Sequence, residues 1–132
     1  MLDRLKILER NILELQAAKK RLSLSALSSE LREQWALRYG LLESIQIIID
    51  ISCHLVSKFN LGNPQSYREC IELLQQNAYI SPGLSTKLKS MVGLRNILVH
   101  DYIAVDDAQL YELLGQVDDM SEFVQACVNH LQ

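Results

Sequence analysis

The sequence predicts an all-α fold, a bundle of about five helices forming one domain over residues 1–132. A chain of 132 residues, 48% of them hydrophobic, is long enough and apolar enough to build one core. Only two prolines and five glycines occur, which leaves few turns and favours a small number of long helices. Apolar residues recur at three- and four-residue steps along most of the chain, the period of amphipathic helices.

Two long helices are predicted in the N-terminal half. Leucine and isoleucine at helical spacing predict the first over residues 3–22, and Ser23-Leu24-Ser25 is a plausible joint. The apolar pattern from 27 to 59 predicts the second. The β-branched run Ile47–Ile49 has no turn residues on either side, so we interpret it as buried helix rather than strand.

A third, short helix follows a break at residues 60–64, which contain asparagine, glycine and proline. Ser66 and Glu69 have capping-box spacing, which predicts that this helix begins there. The pattern ends near Asn77.

Two further helices complete the bundle. Ser81-Pro82 supplies an N-cap and a proline for the first helical position, which predicts a fourth helix over 82–99. Asp106, with Gln109 three residues on, predicts the start of a final helix running to about residue 130.

Charge and cysteine content limit the class of protein. The net charge is −3, so any affinity for RNA must come from a local basic patch. The N-terminus does not resemble a signal peptide, and no apolar run reaches the roughly 20 residues that span a bilayer, so we expect a cytoplasmic protein without membrane contact. Cys53, Cys70 and Cys127 show no CxxC pair, and we expect three reduced thiols rather than a metal or redox site.

The end of the fourth helix carries the residues suited to chemistry. At about 100° per residue, Arg95, Asn96 and His100 share one face of the helix with Val92 and Val99. A mixture of arginine and valine is typical of a partly buried cleft or a subunit interface. We expect the helix to end near Val99 or His100.

The opposite face of that helix is predicted to lie against the core. It carries an apolar stripe formed by Met91, Leu94, Ile97 and Leu98.

Several other candidates have a structural interpretation. His54 lies four residues after Asp50 in a densely apolar helix, which favours a buried structural pair over a catalytic one. Trp35 and Tyr39 are interpreted as packing residues. Arg38 could add positive charge to a cleft, although nothing in the sequence requires it.

The spacing Arg95, four residues, His100, one residue, Tyr102 is the R-x4-H-x-Y signature, and with it the chain resembles the HepT-like proteins of the HEPN superfamily. The resemblance also covers segments 38–55 and 63–81 and is strongest over 91–102. It spans about half of the chain, and no signature position departs from the pattern.

This resemblance implies a homodimeric, metal-independent endoribonuclease in which two copies of the motif meet across the subunit interface. It implies His100 as general acid or base, Arg95 as the ligand of the scissile phosphate, and Asn96 as a supporting group. Imidazole titrates near neutrality and guanidinium presents a charged fork to phosphate oxygens, which suits both roles. No cofactor is expected, since the sequence shows no carboxylate-rich or His/Cys cluster suited to a metal.

The resemblance further implies a toxin whose partner is a minimal nucleotidyltransferase (MNT) antitoxin, which silences it by AMPylation of Tyr102. An alternative is a non-catalytic HEPN subunit that binds nucleotide or protein beside a nucleotidyltransferase. A purely structural dimerisation module is a third possibility, which would leave Tyr102 without a role.

Overall fold

The computed structural model describes residues 1–131, and the all-α prediction is confirmed over that range. The helices are α1 (Leu2–Arg21), α2 (Leu24–Ser29), α3 (Leu31–Lys58), α4 (Tyr67–Gln76), α5 (Pro82–His100), α6 (Asp107–Leu113) and α7 (Val117–Leu131). Short 3₁₀ helices cover Tyr102–Ala104 and Leu114–Gln116.

The predicted helix starts are confirmed by their caps. Ser66, Ser81 and Asp106 each accept a hydrogen bond from the backbone N–H three residues on. Asp106 completes a capping box, because the side chain of Gln109 accepts in return from its backbone N–H at 2.9 Å. These polar caps satisfy N–H groups that have no partner within the helix.

Two boundaries differ from the prediction. The joint at residues 23–25 is itself the start of the one-and-a-half-turn helix α2, which Ser23 caps. The single final helix is divided into α6 and α7 by the 3₁₀ segment Leu114–Gln116. Leu114 and Val117 keep right-handed helical backbone angles, so the chain passes from α-helix to the narrower 3₁₀ helix without a turn. The spacing of apolar residues does not reveal this change.

Helix α3 lies at the centre of the bundle, against α1, α4 and α5. By length and composition alone it could cross a membrane, but more than half of its most apolar window is buried inside the protein. Its fully buried side chains include Leu41, Ile45, Ile48, Ile49, Ile51 and Leu55. This is the pattern of a core helix.

A tight turn joins α3 to α4. Asn60 and Gly62 adopt positive φ, 51° and 155°, where glycine and asparagine are favoured. A Cβ on Gly62 would lie 2.7 Å from Cδ2 of Leu73, so the turn packs directly on α4. Any larger residue at Gly62 would therefore displace the leucine.

The expectation of three reduced cysteines is wrong for two of them. Cys53 on α3 and Cys70 on α4 form a disulfide, with their Cα atoms 5.1 Å apart. Sequence spacing could not predict the pair, because it forms only where two separate helices pack. Cys127 is free and buried, and burial raises the pKa of its thiol to about 12.

Candidate active site

The four motif residues lie at the end of α5 and in the turn beyond it. Helix α5 ends at His100, as predicted, and Asp101 leaves the helical conformation. Arg95 is half-buried, whereas Asn96 and His100 are exposed. Tyr102 opens the 3₁₀ turn and is 63% exposed. All four are therefore accessible to a ligand.

The predicted core stripe of α5 is only partly right. Met91 and Leu98 are buried, but Ile97 is 44% exposed and Val92, assigned to the polar face, is 2% exposed. The buried arc is wider than one stripe because α5 packs against α3, α4 and α7. Met91, Val92 and Leu98 define a buried line along α5. Arg95 lies on that line and is only half-buried, so it marks the point where the line reaches the surface.

The guanidinium of Arg95 is held on three sides. Its Nε–H donates to Oε1 of Gln46 on α3 at 2.8 Å, and its Nη1 donates to Oδ1 of Asn96 at 3.1 Å. Its Cζ lies 5.5 Å from the centre of the Tyr67 ring, within the range of a cation–π contact. These contacts fix the position of the charge.

Arg95 lines the α3–α5 groove, a surface depression of about 410 Å³. The groove is lined by Tyr39, Leu42, Glu43, Gln46, Ile47, Asp50, Arg95 and Val99.

The Glu43 carboxylate of this groove already has cationic and polar partners. It accepts from Asn11 at 3.0 Å and from Arg10 at 3.4 Å. Hydrogen bonding to Glu43 and its charge raise the pKa of the Tyr39 phenol. Arg10 and Asn11 thus partner the Glu43 carboxylate, whereas Asp50, the other carboxylate of the groove, accepts from the neutral amide of Gln46.

A second depression, the α4–α5 groove, lies on the other side of Arg95 and has a volume of about 380 Å³. It is lined by Gln65, Ser66, Tyr67, Arg68, Val92 and Asn96. Arg68 reaches over α5 at Gly93, where a Cβ would lie 2.9 Å from its Nη2. Glycine at this position thus allows a second guanidinium to approach, one helical turn before Asn96.

Tyr102 lines a third depression of about 300 Å³, with Trp35, Arg38, Tyr39, Leu42 and Leu98. Trp35 and Tyr39, interpreted from sequence as packing residues, are in fact 62% and 65% exposed. Tyr39 and Leu42 also line the α3–α5 groove, so the two depressions adjoin between Tyr102 and Arg95.

Arg38 has a role that the sequence did not indicate. Its Nη1 donates to the backbone carbonyl of Tyr102 at 3.0 Å, and its Nη2 donates to that of Val105. The arginine therefore ties the turn after α5 back to α3.

Asp50 and His54 do not form the predicted buried pair. His54 is exposed and lines a separate depression with Met1, Leu2, Asp3 and Lys58. Asp50 is half-buried and instead accepts from Nε2 of Gln46 at 2.9 Å. Ile51, Leu55 and Val56 form the buried side of α3 at this point, so Asp50 and His54 lie on its outer side. The i, i+4 spacing alone did not show which side faces the core.

Sequence reasoning missed three residues that contact or flank Arg95: Gln46, Tyr67 and Arg68. Gln46 is the one polar position within the apolar run from Ile45 to Ile49, which was a signal for it. Tyr67 and Arg68 begin α4 directly after its cap, but their approach to α5 depends on how the two helices pack.

Arg95 and His100 diverge on the helix. His100 is five positions after Arg95, which corresponds to about 140° of rotation and about 7.5 Å of rise along the helix. On a regular helix both residues therefore lie near the end of α5 but point in directions more than a right angle apart, which is a wider separation than the shared face predicted from the sequence.

Comparison with known proteins identifies a family that matches most of the chain. The sequence profile of the family described as ribonuclease HepT-like matches residues 8–127. An mRNA nuclease HepT from Shewanella oneidensis is 36% identical over 101 residues, 73% of this chain and 76% of that protein. A tRNA nuclease HepT from Aphanizomenon flos-aquae is 34% identical over 80 residues, 60% of this chain and 54% of that protein.

Solved structures agree with the sequence matches. A tri-AMPylated HEPN toxin of Shewanella oneidensis, in complex with an MNT antitoxin, superposes with a TM-score of 0.87 at 29% identity, covering 97% of this chain and 96% of that one. A tyrosine-to-alanine mutant of the MntA–HpeT toxin–antitoxin complex superposes with a TM-score of 0.85 at 28% identity, covering 97% of each chain.

Proposed function

Because this chain belongs to the ribonuclease HepT-like family, we propose that it is the endoribonuclease toxin of a toxin–antitoxin system. The observation that carries the proposal is the placement of Arg95, a guanidinium fixed where the buried line of α5 reaches the surface. A charged group at such a position is costly unless it is paired or used for binding. The exposed His100 at the end of the same helix adds a group for proton transfer.

The proposed reaction is transesterification within the RNA strand. The 2′-oxygen attacks the adjacent phosphorus and loses its proton to a base, while the bond from phosphorus to the 5′-oxygen breaks and that oxygen takes up a proton. His100 transfers the proton, and Arg95 stabilises the charge on the non-bridging oxygens. The products are a 2′,3′-cyclic phosphate and a 5′-hydroxyl, formed without a metal ion.

Asn96 supports the phosphate site. Its Oδ1 already accepts from Arg95, so the N–H donors of its amide point elsewhere and can contact a phosphate oxygen. Arg68, which flanks the α4–α5 groove, adds positive charge for the RNA backbone. This local charge compensates for the net charge of −3.

The active unit is proposed to be a homodimer. Since Arg95 and His100 diverge along α5, one arginine meets one histidine most directly when two copies of the helix end face each other. Exposed apolar side chains accompany them at the same end, with Ile97 44% and Val99 40% exposed. Apolar residues that flank a polar site are typical of an interface.

Cleavage of a labelled RNA tests the ribonuclease proposal. We expect wild-type protein to release cyclic-phosphate ends in the presence of EDTA. Arg95→Ala and His100→Ala should each reduce the rate by roughly 10²-fold or more, since each removes a charge-stabilising or proton-transferring group. Arg32→Ala, an exposed arginine at the start of α3, is the control.

Mixing the two inactive variants tests the composite site. Exchange of subunits should restore part of the activity, because a mixed dimer holds one intact arginine facing one intact histidine. Products with 3′-hydroxyl ends, or a strict requirement for magnesium, would contradict the mechanism, and no recovery on mixing would assign both groups to one subunit.

Tyr102 is the proposed site of control by a cognate minimal nucleotidyltransferase. Its phenol would attack the α-phosphate of ATP, displacing pyrophosphate and leaving AMP on the oxygen. The depression beside Tyr102 adjoins the α3–α5 groove through Tyr39 and Leu42, so the added nucleotide has a path towards Arg95. Its phosphate would compete with that of RNA for the guanidinium.

Co-expression with the nucleotidyltransferase, followed by intact mass spectrometry, tests this control. We expect one or more AMP adducts at Tyr102 and loss of RNA cleavage in the wild type, and no AMP adduct on the Tyr102→Phe variant. The variant should retain cleavage when the antitoxin is present. Suppression of toxicity with Tyr102 unmodified would show that the antitoxin acts by binding alone.

A second candidate function is a non-catalytic subunit that binds nucleotide beside the nucleotidyltransferase. The exposed aromatic pair Trp35 and Tyr39 next to Tyr102 favours it, since aromatic faces stack on bases. Binding of ATP without RNA cleavage by the wild-type protein would support this alternative. Either function would operate in the cytoplasm, where RNA and ATP are available.

A further inference from the structure

Gln46 joins Arg95 to a chain of polar contacts that runs along α3. Its Oε1 accepts from Nε–H of Arg95 at 2.8 Å, and its Nε2 donates to Oδ1 of Asp50 at 2.9 Å. Oδ2 of Asp50 lies 4.0 Å from Nε of Arg4 on α1. Helices α1, α3 and α5 are thereby linked through the Arg95 guanidinium.

The two neighbours of Gln46 determine which way its amide faces. A guanidinium only donates hydrogen bonds, and a carboxylate only accepts them. The carbonyl end of Gln46 must therefore face Arg95 and its NH₂ end must face Asp50. Reversing the amide would place donor against donor and acceptor against acceptor, so the half-buried side chain has one favourable orientation.

This orientation decides which N–H groups of Arg95 face a ligand. A guanidinium has five N–H donors. Within the described part of the chain, Gln46 takes the one on Nε and Asn96 takes one on Nη1. The three that remain are on the terminal nitrogens, so with Nε engaged the fork open to phosphate oxygens is the one formed by Nη1 and Nη2.

We infer that Gln46, oriented by Asp50, is a positioning residue that presents the terminal nitrogens of Arg95 to the scissile phosphate. The inference rests on the proposed ribonuclease function, and it assigns Asp50 a supporting role through Gln46 rather than through His54. In this role Gln46 acts through Arg95 and not on the reacting atoms.

The decisive variant is Gln46→Met, which keeps the length and packing of the side chain but cannot accept from Arg95. The matched control is Gln16→Met, the same change at a half-buried glutamine that lines a separate depression on α1. Two readouts apply to both: kcat and KM for RNA cleavage, and the ¹⁵N-edited NMR resonance of the Arg95 Nε–H, assigned with Arg95→Lys.

We expect Gln46→Met to shift the Arg95 Nε–H resonance, speed its exchange with water and lower kcat by roughly 10- to 100-fold, the effect of a misplaced catalytic group. The change in KM should be smaller, and Gln16→Met should change none of these quantities. An unchanged resonance together with an unchanged kcat in Gln46→Met would overturn the inference.

Asp50→Asn provides a second variant, which should leave the packing of the core unchanged because the Asp50 side chain is 40% exposed. An asparagine can present either end of its amide, so it no longer forces the orientation of Gln46. We expect a smaller fall in kcat and a broadened Arg95 Nε–H resonance. If this variant matched the wild type in both, Asp50 would have no part in the positioning.

The NMR readout separates this inference from the proposed function. A wild-type protein that fails to cleave RNA would contradict the ribonuclease proposal. In that case the Arg95 resonance would still report whether Gln46 holds the guanidinium. Loss of cleavage in Gln46→Met, with cleavage by the wild type, is compatible with both the proposed function and the inference about Gln46.

Discussion

At the scale of single residues, the turn that follows α5 depends on one long side chain from α3. Arg38 donates to the carbonyls of Tyr102 and Val105, and the backbone N–H of Val105 donates to the same Tyr102 carbonyl at 3.3 Å. A carbonyl can accept two hydrogen bonds, so both contacts coexist. The Tyr102 phenol is therefore exposed on a backbone that is tied down.

Replacing Arg38 with methionine tests this tie. The Arg38→Met side chain keeps an apolar stem but loses both donors, which at this partly exposed site are together worth about 1 to 3 kcal/mol. We expect amide hydrogen exchange at Ala104 and Val105 to accelerate by roughly tenfold, which corresponds to about 1.4 kcal/mol. Exchange followed by NMR should show no such change in Arg32→Met, and equal protection in both variants would contradict the role of Arg38.

At the scale of elements, α4 is joined to its neighbours at two points besides its apolar face. The disulfide links it to α3, and Glu72 pairs with Lys89 on α5. The hydrogen bond from Lys89 lowers the pKa of Glu72. This ion pair therefore contributes at pH values above the ordinary glutamate pKa, and its contribution is lost as the pH falls through the lowered value. Both links hold the helix that begins with Tyr67.

The disulfide should stabilise the protein measurably. It closes a segment with a sequence separation of 17, and the entropy that the cross-link removes from the unfolded chain is worth about 3 kcal/mol. Urea unfolding with and without a phosphine reductant should therefore give a lower midpoint in the reduced sample. Cys53→Ser should unfold at the lower midpoint under both conditions, and a reductant effect that persists in this variant would contradict the assignment.

The helical elements were largely predictable from the sequence because apolar period and caps are local. The starts of α4, α5 and α6 follow from Ser66, Ser81 and Asp106, each of which acts within its own first turn. The contact of Gln46 with Arg95 was not predictable in this way, since 49 residues separate the pair and only the packing of α3 on α5 brings them together.

At the scale of the whole molecule, the buried side chains form a continuous cluster around α3, and the motif lies where α5 emerges from it. The R-x4-H-x-Y spacing identified the family and the segment without any knowledge of this packing. It could not show that Arg95 lies on the buried line or that Ile97 lies outside it. Those two facts depend on helices α3, α4 and α7, which surround α5 on several sides.

The acidic side chains around Arg95 have hydrogen-bonding partners within the protein. Carboxylates near Arg95 are engaged by other parts of the chain: Glu43 by Asn11 and Arg10, and Asp50 by Gln46. Arg68 and Arg95 flank the α4–α5 groove. Arg68 and Arg95 are the local basic groups that the sequence analysis required of an RNA-binding protein with this net charge.

Trp35 is the single tryptophan of the chain, and it is 62% exposed beside Tyr102. The tryptophan fluorescence of the protein therefore originates from one solvent-exposed site, next to the hydroxyl group proposed for modification. Its colour and intensity are set by whatever covers that site, whether a nucleotide, an antitoxin or a second subunit. The protein thus contains its own optical probe for each of these events, without an added dye.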